Sequence, residues 1–200
     1  MNKPINHNLT GIVACGGKSR RMGVDKSLLN YHGKPQRYFI YDLLKTICTQ
    51  VYISCNEEQS SAVDQGYNFI TDDKQFSGHG PVSGLLTSFK SFPEKAILFV
   101  GCDYPHLNIE ALQQLTENND SSSDAHCFID TNNIRQPLIA LYEYSSFDKL
   151  LIRFHKGKYS LRDFLETENI ITFSPASDNL LLSADTWDEY KTEKINISSH

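Results

Sequence analysis

Short apolar runs alternate along the chain with stretches of helical periodicity. β-type runs occupy residues 9–14, 51–55, 68–70, 96–100, 126–129 and 138–142. Between them, apolar side chains recur at helical spacing, as at Ile40, Leu43, Leu44 and Ile47. Since near-continuous apolar strands are typical of a parallel sheet covered on both faces, the pattern predicts a three-layer α/β/α sandwich with a mostly parallel, Rossmann-like sheet.

Start signals support several of these helices. Pro35 and Pro81 each stand where a first helical turn begins, and Asn108 is placed to cap a helix. After residue 145 the pattern becomes helical throughout, and Thr186 with Glu189 fits a capping box that opens a last helix. We expect one domain over residues 1–200, with a core at about 9–193 and a frayed tail at 194–200.

The first apolar run ends in a glycine- and cation-rich loop. Cys15, Gly16 and Gly17 lead into it, and four cations follow: Lys18, Arg20, Arg21 and Lys26. Glycine lets backbone N–H groups approach an anion closely, and the cations would neutralise a polyphosphate. Neither the P-loop spacing nor the dinucleotide fingerprint is present. The residues alone therefore predict phosphate binding and indicate a nucleotide.

Other polar residues follow the later strands, at the edge where open parallel sheets bind ligands. Asp103 comes after the run 96–100 and suits Mg²⁺, which prefers a carboxylate together with phosphate oxygens and water. Asp72 could accept hydrogen bonds from guanine, and Asn56 could contact a ribose or base. Asp103 could instead serve a turn or cap the next helix, Asp72 could be a solvated loop carboxylate, and Asn56 could be a turn residue. Gly80-Pro81 could bring backbone amides against the base or ribose.

Composition narrows the function classes. A net charge of −5 argues against nucleic-acid binding, and no apolar run is long enough for a membrane span, so we expect a cytoplasmic protein. Five scattered cysteines without a Cys-x-x-Cys pair indicate buried thiols rather than zinc or disulfides. No nucleophile–base arrangement is recognisable from spacing. Cations, Mg²⁺ and a substrate-supplied nucleophile suffice for phosphoryl or nucleotidyl transfer.

The loop from Gly16 to Lys26 resembles the Leu-Ala-Gly-Gly-x-Ser-x-Arg-Met-Gly-x-Asp-Lys signature of the MobA-type molybdenum cofactor guanylyltransferases. The resemblance continues through Asn56, Asp72, the segment 80–84, Asp103 and the segment 136–141. It implies transfer of GMP from GTP to the terminal phosphate of molybdenum-bound molybdopterin. It also implies transient contacts with molybdenum-insertion proteins and molybdoenzymes, for a monomer or weak oligomer.

By this resemblance the catalytic residues are Lys26, Arg21 and Asp103, and Asp103 holds Mg²⁺. The nucleotide-binding residues are Cys15, Gly16, Gly17, Lys26, Asn56, Asp72, Gly80, Pro81 and Asp103.

One segment departs from the family pattern. Where the family has Asn-Val-Asn-Thr-Pro, this chain has Ser183-Ala184-Asp185-Thr186-Trp187. In the family this region is associated with the pterin substrate or the second side of the metal site, so the resemblance implies a change at the acceptor more than at the donor. Two alternatives therefore stay open, namely another phosphorylated acceptor such as a sugar phosphate, and a GTP-binding protein without turnover.

Overall fold

A sheet of seven strands forms the centre of the computed structural model, which describes residues 6–15, 23–117, 122–184 and 186–199. The strands in chain order are β1 (Asn6–Ala14), β2 (Cys48–Cys55), β3 (Phe69–Thr71), β4 (Ala96–Gly101), β5 (Ala125–Ile129), β6 (Arg135–Tyr142) and β7 (Ile170–Phe173). They lie in the order β3-β2-β1-β4-β6-β5-β7. Only β6 runs antiparallel to its neighbours, so the predicted mostly parallel sheet is confirmed.

Helices connect most of these strands. They are α1 (Gln36–Lys45), α2 (Glu57–Ser60), α3 (Pro81–Ser91), α4 (Ile109–Thr116), α5 (Ser146–His155), α6 (Leu161–Thr167) and α7 (Trp187–Ser198). Two 3-10 helices cover Lys26–Leu28 and Asp178–Leu181. The predicted starts are confirmed at Pro35, Pro81 and Asn108, and the capping box at Thr186 is present. No helix in the described ranges is long and apolar enough to cross a bilayer.

Alternate strand residues supply two apolar layers, one on each face of the sheet. Val13 and Leu98 belong to the layer that contains the apolar side chains of α1 and α4. Ile12 and Phe99, their neighbours in sequence, belong to the opposite layer with the apolar side chains of α3, α5 and α6. Because successive strand residues point to opposite faces, a central strand buried on both sides needs an unbroken apolar run. The predicted three layers are confirmed.

Two expectations at the C-terminal end are wrong. Residues 170–173 form β7 parallel to β5, although the pattern beyond residue 145 had indicated only helices. A four-residue apolar run is too short for its period to separate strand from helix. The tail expected to fray from residue 194 continues α7 to Ser198, and Ile197 packs against the small cluster of Leu29, Tyr31 and Ala184.

Candidate functional site

The strand-end residues singled out in the sequence lie at one edge of the sheet. Ala14 of β1 is in register with Ser54 of β2 and with Gly101 of β4, so Cys15 and Asp103 both stand just beyond neighbouring strand ends. Cys55 of β2 is in register with Thr71, which brings Asp72 to the same edge. The topology thus collects four strand ends, each followed by a residue expected to bind nucleotide.

The predicted nucleotide loop, which is the glycine- and cation-rich segment 16–25, follows Cys15 in the middle of this edge. Gly16, Gly17 and Arg21 lie outside the described residues, but both ends of the loop are described. At the first end, the Cys15 N–H donates to the Ser54 carbonyl at 2.9 Å, which extends the pairing of β1 with β2 by one residue. The loop therefore leaves the sheet from a fixed point.

At its other end the loop leads into the 3-10 helix that begins at Lys26. Asp25 caps this helix, since its Oδ1 accepts from the Ser27 N–H at 2.9 Å. Lys26 is half-buried, and Ser27 behind it is almost fully buried. A short capped helix with one buried face restricts where the Lys26 backbone can lie.

Asp103 follows β4, and the space around its carboxylate depends on a glycine. A Cβ at Gly101 would lie 2.8 Å from Asp103 Oδ1, closer than real Cβ atoms approach, and 3.1 Å from a ring carbon of Tyr104, which is a tight contact. Gln36 Nε2 donates to the Tyr104 carbonyl at 3.1 Å, so the start of α1 holds the next residue of the turn. Gly101 and Gln36 were missed in the sequence, where an isolated glycine or glutamine carries no distinct signal.

Tyr31 is a further residue that sequence reasoning missed. It is buried, its ring lies edge-on to Tyr190 of α7 with 4.9 Å between centroids, and Asp103 acts on it electrostatically. Burial first, and then the fields of Tyr190 and Asp103, raise the pKa of Tyr31. The phenol is therefore neutral across the physiological range and adds no charge beside Asp103.

Asp72 is half-buried, and no hydrogen bond to its carboxylate is found among the described residues. Its backbone N–H donates to the Cys55 carbonyl at 3.3 Å, which extends the β2–β3 pairing. Burial alone raises the pKa of its carboxyl above the usual value. A desolvated carboxylate without a partner is costly, so the site favours a ligand that donates hydrogen bonds.

Gly80 and Pro81 form the start of α3 beside this edge. Gly80 has a φ of +74° and a ψ of −148°, a conformation essentially reserved for glycine, and Pro81 occupies the first helical position. Ser83 holds the turn before the helix, because its Oγ donates to the Phe76 carbonyl at 2.6 Å and accepts from the His79 N–H at 3.1 Å. The exposed Gly80 backbone is thus presented in a fixed conformation.

Asn56 has a structural role in this conformation of the protein. It caps α2, with its Oδ1 accepting from the Gln59 N–H at 2.8 Å, while Gln59 Oε1 accepts from the Asn56 N–H at 3.2 Å. The sequence left open a ligand contact and a turn residue for Asn56, and the structure shows a helix cap instead. The Asn-x-x-Gln spacing of a capping box was the signal that could have identified Gln59.

Three thiols lie at adjacent strand ends. Cys15, Cys55 and Cys102 are buried and free, as predicted. A hydrogen bond between the Cys15 and Cys102 side chains and burial raise the pKa of Cys102, and burial raises that of Cys55 to about 12. Since the thiolate is the reactive form, the raised pKa values of Cys55 and Cys102 argue against a role for these two thiols as nucleophiles.

The segment that departs from the family pattern lies beside the Lys26 helix. Ala184 is buried in a cluster with Leu29 and Tyr31, and Thr186 caps α7. Asp185 lies outside the described residues. Nearby, Pro105 and Leu107 join His32, His106 and other side chains around a cavity of about 500 Å³. The segment in which this chain differs thus packs against residues that follow the Lys26 helix.

Residues 11–172 match the family model described as the MobA-like NTP transferase domain. The chain is 40% identical over 107 residues to the molybdenum cofactor biosynthesis bifunctional protein of Synechocystis, covering 54% of this chain and 30% of that protein. It is 27% identical over 190 residues to the molybdenum cofactor guanylyltransferase of Yersinia pestis, covering 91% of this chain and 96% of the relative.

The fold agrees with these relatives. The crystal structure of molybdopterin-guanine dinucleotide biosynthesis protein A from Archaeoglobus fulgidus superposes with a TM-score of 0.79 at 21% identity, covering 96% of this chain and all of that one (100%). The prediction of a nucleotidyltransferase is confirmed at the level of the family. Together with the loop and the strand-end carboxylates, the match shows that this chain belongs to the MobA-like NTP transferase family.

Proposed function

We propose that the protein transfers GMP from GTP to the terminal phosphate of molybdenum-bound molybdopterin, in a Mg²⁺-dependent reaction that releases pyrophosphate. The observation that carries the proposal is the placement of Asp72 and Asp103 on either side of the nucleotide loop. They follow β3 and β4, which are three strand positions apart, or roughly 14 Å at about 4.8 Å per strand. An extended nucleotide can reach from one carboxylate to the other across the loop.

On this proposal Asp72 receives the base. Guanine presents an N1–H and an exocyclic amine side by side, and a carboxylate can accept both. The half-buried Asp72 carboxylate offers two oxygens, and no partner for them is found among the described residues. The Gly80 and Pro81 backbone lies at the start of α3 on the same edge, where it would border the base or ribose.

The phosphates lie over the loop, with Gly16, Gly17 and Cys15 supplying backbone contacts and Lys26 and Arg21 supplying charge. Nucleotidyltransferases of this family generally depend on a divalent cation. No described group of three side chains could enclose a metal ion. A single carboxylate at Asp103 fits Mg²⁺, which takes its remaining ligands from phosphate oxygens and water. Bound there, Mg²⁺ would neutralise charge that develops on the phosphates.

The chemistry needs no protein nucleophile. A terminal phosphate oxygen of the acceptor attacks the α-phosphorus of GTP, the bond to the bridging oxygen breaks, and pyrophosphate leaves with that oxygen. Lys26 stabilises negative charge at the α-phosphorus, and Arg21 neutralises the leaving pyrophosphate. The Cys102 thiol is buried and its pKa is raised, which is consistent with direct transfer.

The altered segment Ser183-Ala184-Asp185 supports a second candidate, in which the same donor chemistry serves a different phosphorylated acceptor such as a sugar phosphate. Ala184 packs against Leu29, so this segment borders the Lys26 helix. A change there alters what meets the α-phosphorus while leaving the Asp72 side of the site intact. A GTP-binding protein without turnover is the limiting case.

Pyrophosphate release separates these possibilities. Each of the four NTPs is incubated with the protein and Mg²⁺, with and without molybdenum-loaded molybdopterin. Release that requires GTP and the pterin together supports the proposed reaction. Release with a sugar phosphate and not with the pterin would replace the acceptor, and GTP binding without release under any condition would contradict a transferase.

A further inference from the structure

One side chain links the two ends of the nucleotide loop. Gln59 Nε2 donates to Asp25 Oδ2 at 2.8 Å and to the Cys15 carbonyl at 3.3 Å. Cys15 is the last described residue before the loop, and Asp25 caps the 3-10 helix that follows it. A carbonyl oxygen and a carboxyl oxygen both accept here, so the Gln59 amide presents its NH₂ group to them.

The other half of the Gln59 amide is fixed as well. Its Oε1 accepts from the Asn56 N–H at 3.2 Å, within the capping box that starts α2. Asn56 directly follows β2, the strand whose Ser54 carbonyl accepts from the Cys15 N–H. Gln59 therefore stands on the sheet edge with its amide oriented from both sides.

From Gln59 the contact passes to Lys26 through one residue. Asp25 accepts from Gln59 with Oδ2 and from the Ser27 N–H with Oδ1, so the same carboxylate joins Gln59 to the Lys26 helix. None of the residues of α2 is buried, and their contribution to the core is therefore small. The hydrogen bonds of Gln59 are directed at the loop ends and not at the packing of the fold.

We propose that Gln59 is a positioning residue for nucleotide binding, which sets the separation of the loop ends and the placement of Lys26. The inference rests on the proposed function only in naming GTP as the nucleotide. It also assigns Asn56 a part in the site that needs no contact with ligand, through the cap that orients Gln59.

The test compares Gln59→Leu and Gln59→Glu with the control Gln65→Leu, at an exposed glutamine in the turn before β3. The first measurement is the rate of trypsin cleavage at Lys18, Arg20 and Arg21 in the absence of nucleotide. We expect faster cleavage in both Gln59 variants and an unchanged rate in the control. Equal rates in all four proteins would overturn the proposal, whatever reaction the enzyme catalyses.

The second reading is nucleotide binding and turnover. Loss of a hydrogen bond to a charged group predicts a rise of about tenfold in the Kd for GTP and in KM, with Tm close to that of the wild type. Gln59→Glu places two carboxylates together and is expected to be at least as impaired. A loss of affinity that only follows a loss of folded protein would contradict a positioning role.

A double variant that exchanges the hydrogen-bond donor and acceptor at positions 59 and 25 gives a further test. In the double variant Asp25→Asn with Gln59→Glu, the Asn side chain at 25 can donate to the carboxylate at 59 and still accept from the Ser27 N–H. We expect it to recover part of the affinity that Gln59→Glu alone loses. If the protein binds a nucleotide other than GTP, the Kd of each variant is measured with that nucleotide. A weaker Kd in the Gln59 variants would then support the positioning role of Gln59 even though the proposed reaction with GTP had failed.

Discussion

Two halves of the sheet end in aspartates at the same edge, but the local turn gives these carboxylates different uses. In the half formed by β3, β2, β1 and β4, Asp72 has no hydrogen-bond partner for its carboxylate among the described residues. In the other half, Asp130 follows β5 and accepts from the Asn132 and Ile134 N–H groups at 2.9 and 2.8 Å and from Gln136 Nε2 at 3.3 Å. An aspartate at a strand end can accept hydrogen bonds from a ligand only where the groups of the following turn do not already occupy its carboxylate oxygens.

The direction of β6 explains this difference. β5 returns directly into the antiparallel β6, so the chain reverses within a few residues and Asp130 is needed to hold the turn. After β3 and β4 the chain goes on to helices that cross back over the sheet. Because these connections are longer, Asp72 is not part of a tight hairpin turn.

The largest effect is expected at Asp103. Asp103→Ala should lower kcat for pyrophosphate release by about 10²-fold or more, because it removes the carboxylate proposed to hold the cation. Asp130→Ala, an aspartate at the same edge in the other half, is the matched control and should keep kcat. Equal losses in the two variants would remove the distinction between the halves.

Lys26→Ala should also lower kcat by about 10²-fold, since a fixed charge near the α-phosphorus stabilises the transition state. Lys45→Ala is the control, at an exposed lysine in the last turn of α1 that precedes the amino end of β2. Single-turnover rates with saturating nucleotide measure the chemical step. A wild-type rate in Lys26→Ala would refute its assignment.

Asp72→Asn should weaken recognition of the guanine base and leave the chemical step nearly unchanged. Its amide NH₂ would face the donors of guanine, so we expect KM for GTP to rise about tenfold with kcat nearly unchanged. The preference for GTP over ITP, which lacks the exocyclic amine, should shrink. Steady-state kinetics with both nucleotides measure this, and an unaltered preference would contradict guanine recognition by Asp72.

The same substitution should stabilise the free protein at neutral pH. Burial raises the folded-state pKa of Asp72 above its ordinary value of 3.8, so the wild type loses stability as the pH rises through this range and the carboxyl ionises. Asp72→Asn should therefore have a slightly higher Tm at pH 7, and this gain should vanish below about pH 3.8. Thermal melts of the two proteins across this pH range measure the difference in Tm. A lower Tm in Asp72→Asn than in the wild type at pH 7 would contradict the prediction.

The smallest effect is expected in the stability of the hairpin. Asp130→Ala removes three hydrogen bonds from an exposed turn and should cost about 1 kcal/mol, or roughly 2–4 °C in Tm for a chain of this size. Asp130→Asn keeps an acceptor for the two backbone N–H groups and should cost less. Denaturant unfolding of both variants measures the difference, and a larger loss in Asp130→Asn would contradict the role of the turn.

The sequence by itself determined most of the parallel half. Unbroken apolar runs identified β1, β2 and β4 because a strand covered on both faces cannot alternate, and Pro81 and Asn108 marked helix starts that the backbone requires. Because open parallel sheets bind ligands beyond the carboxyl ends of their strands, the sequence then singled out Asp72 and Asp103 without any knowledge of their distance in space. β7 was missed, because its short apolar run does not by itself indicate a strand. Only its pairing with β5 shows that it is one.

Only the tertiary structure decided which polar residues serve the fold and which remain available. Asn56, Asp72 and Asp130 all follow strands, yet one caps a helix, one has no described hydrogen-bond partner and one closes a hairpin. Gln59 gave no chemical signal in the sequence, because its importance lies in contacts with Cys15 and Asp25, 44 and 34 residues away. Hydrophobic periodicity is a local property of the chain, whereas hydrogen-bond saturation depends on groups that only folding brings together.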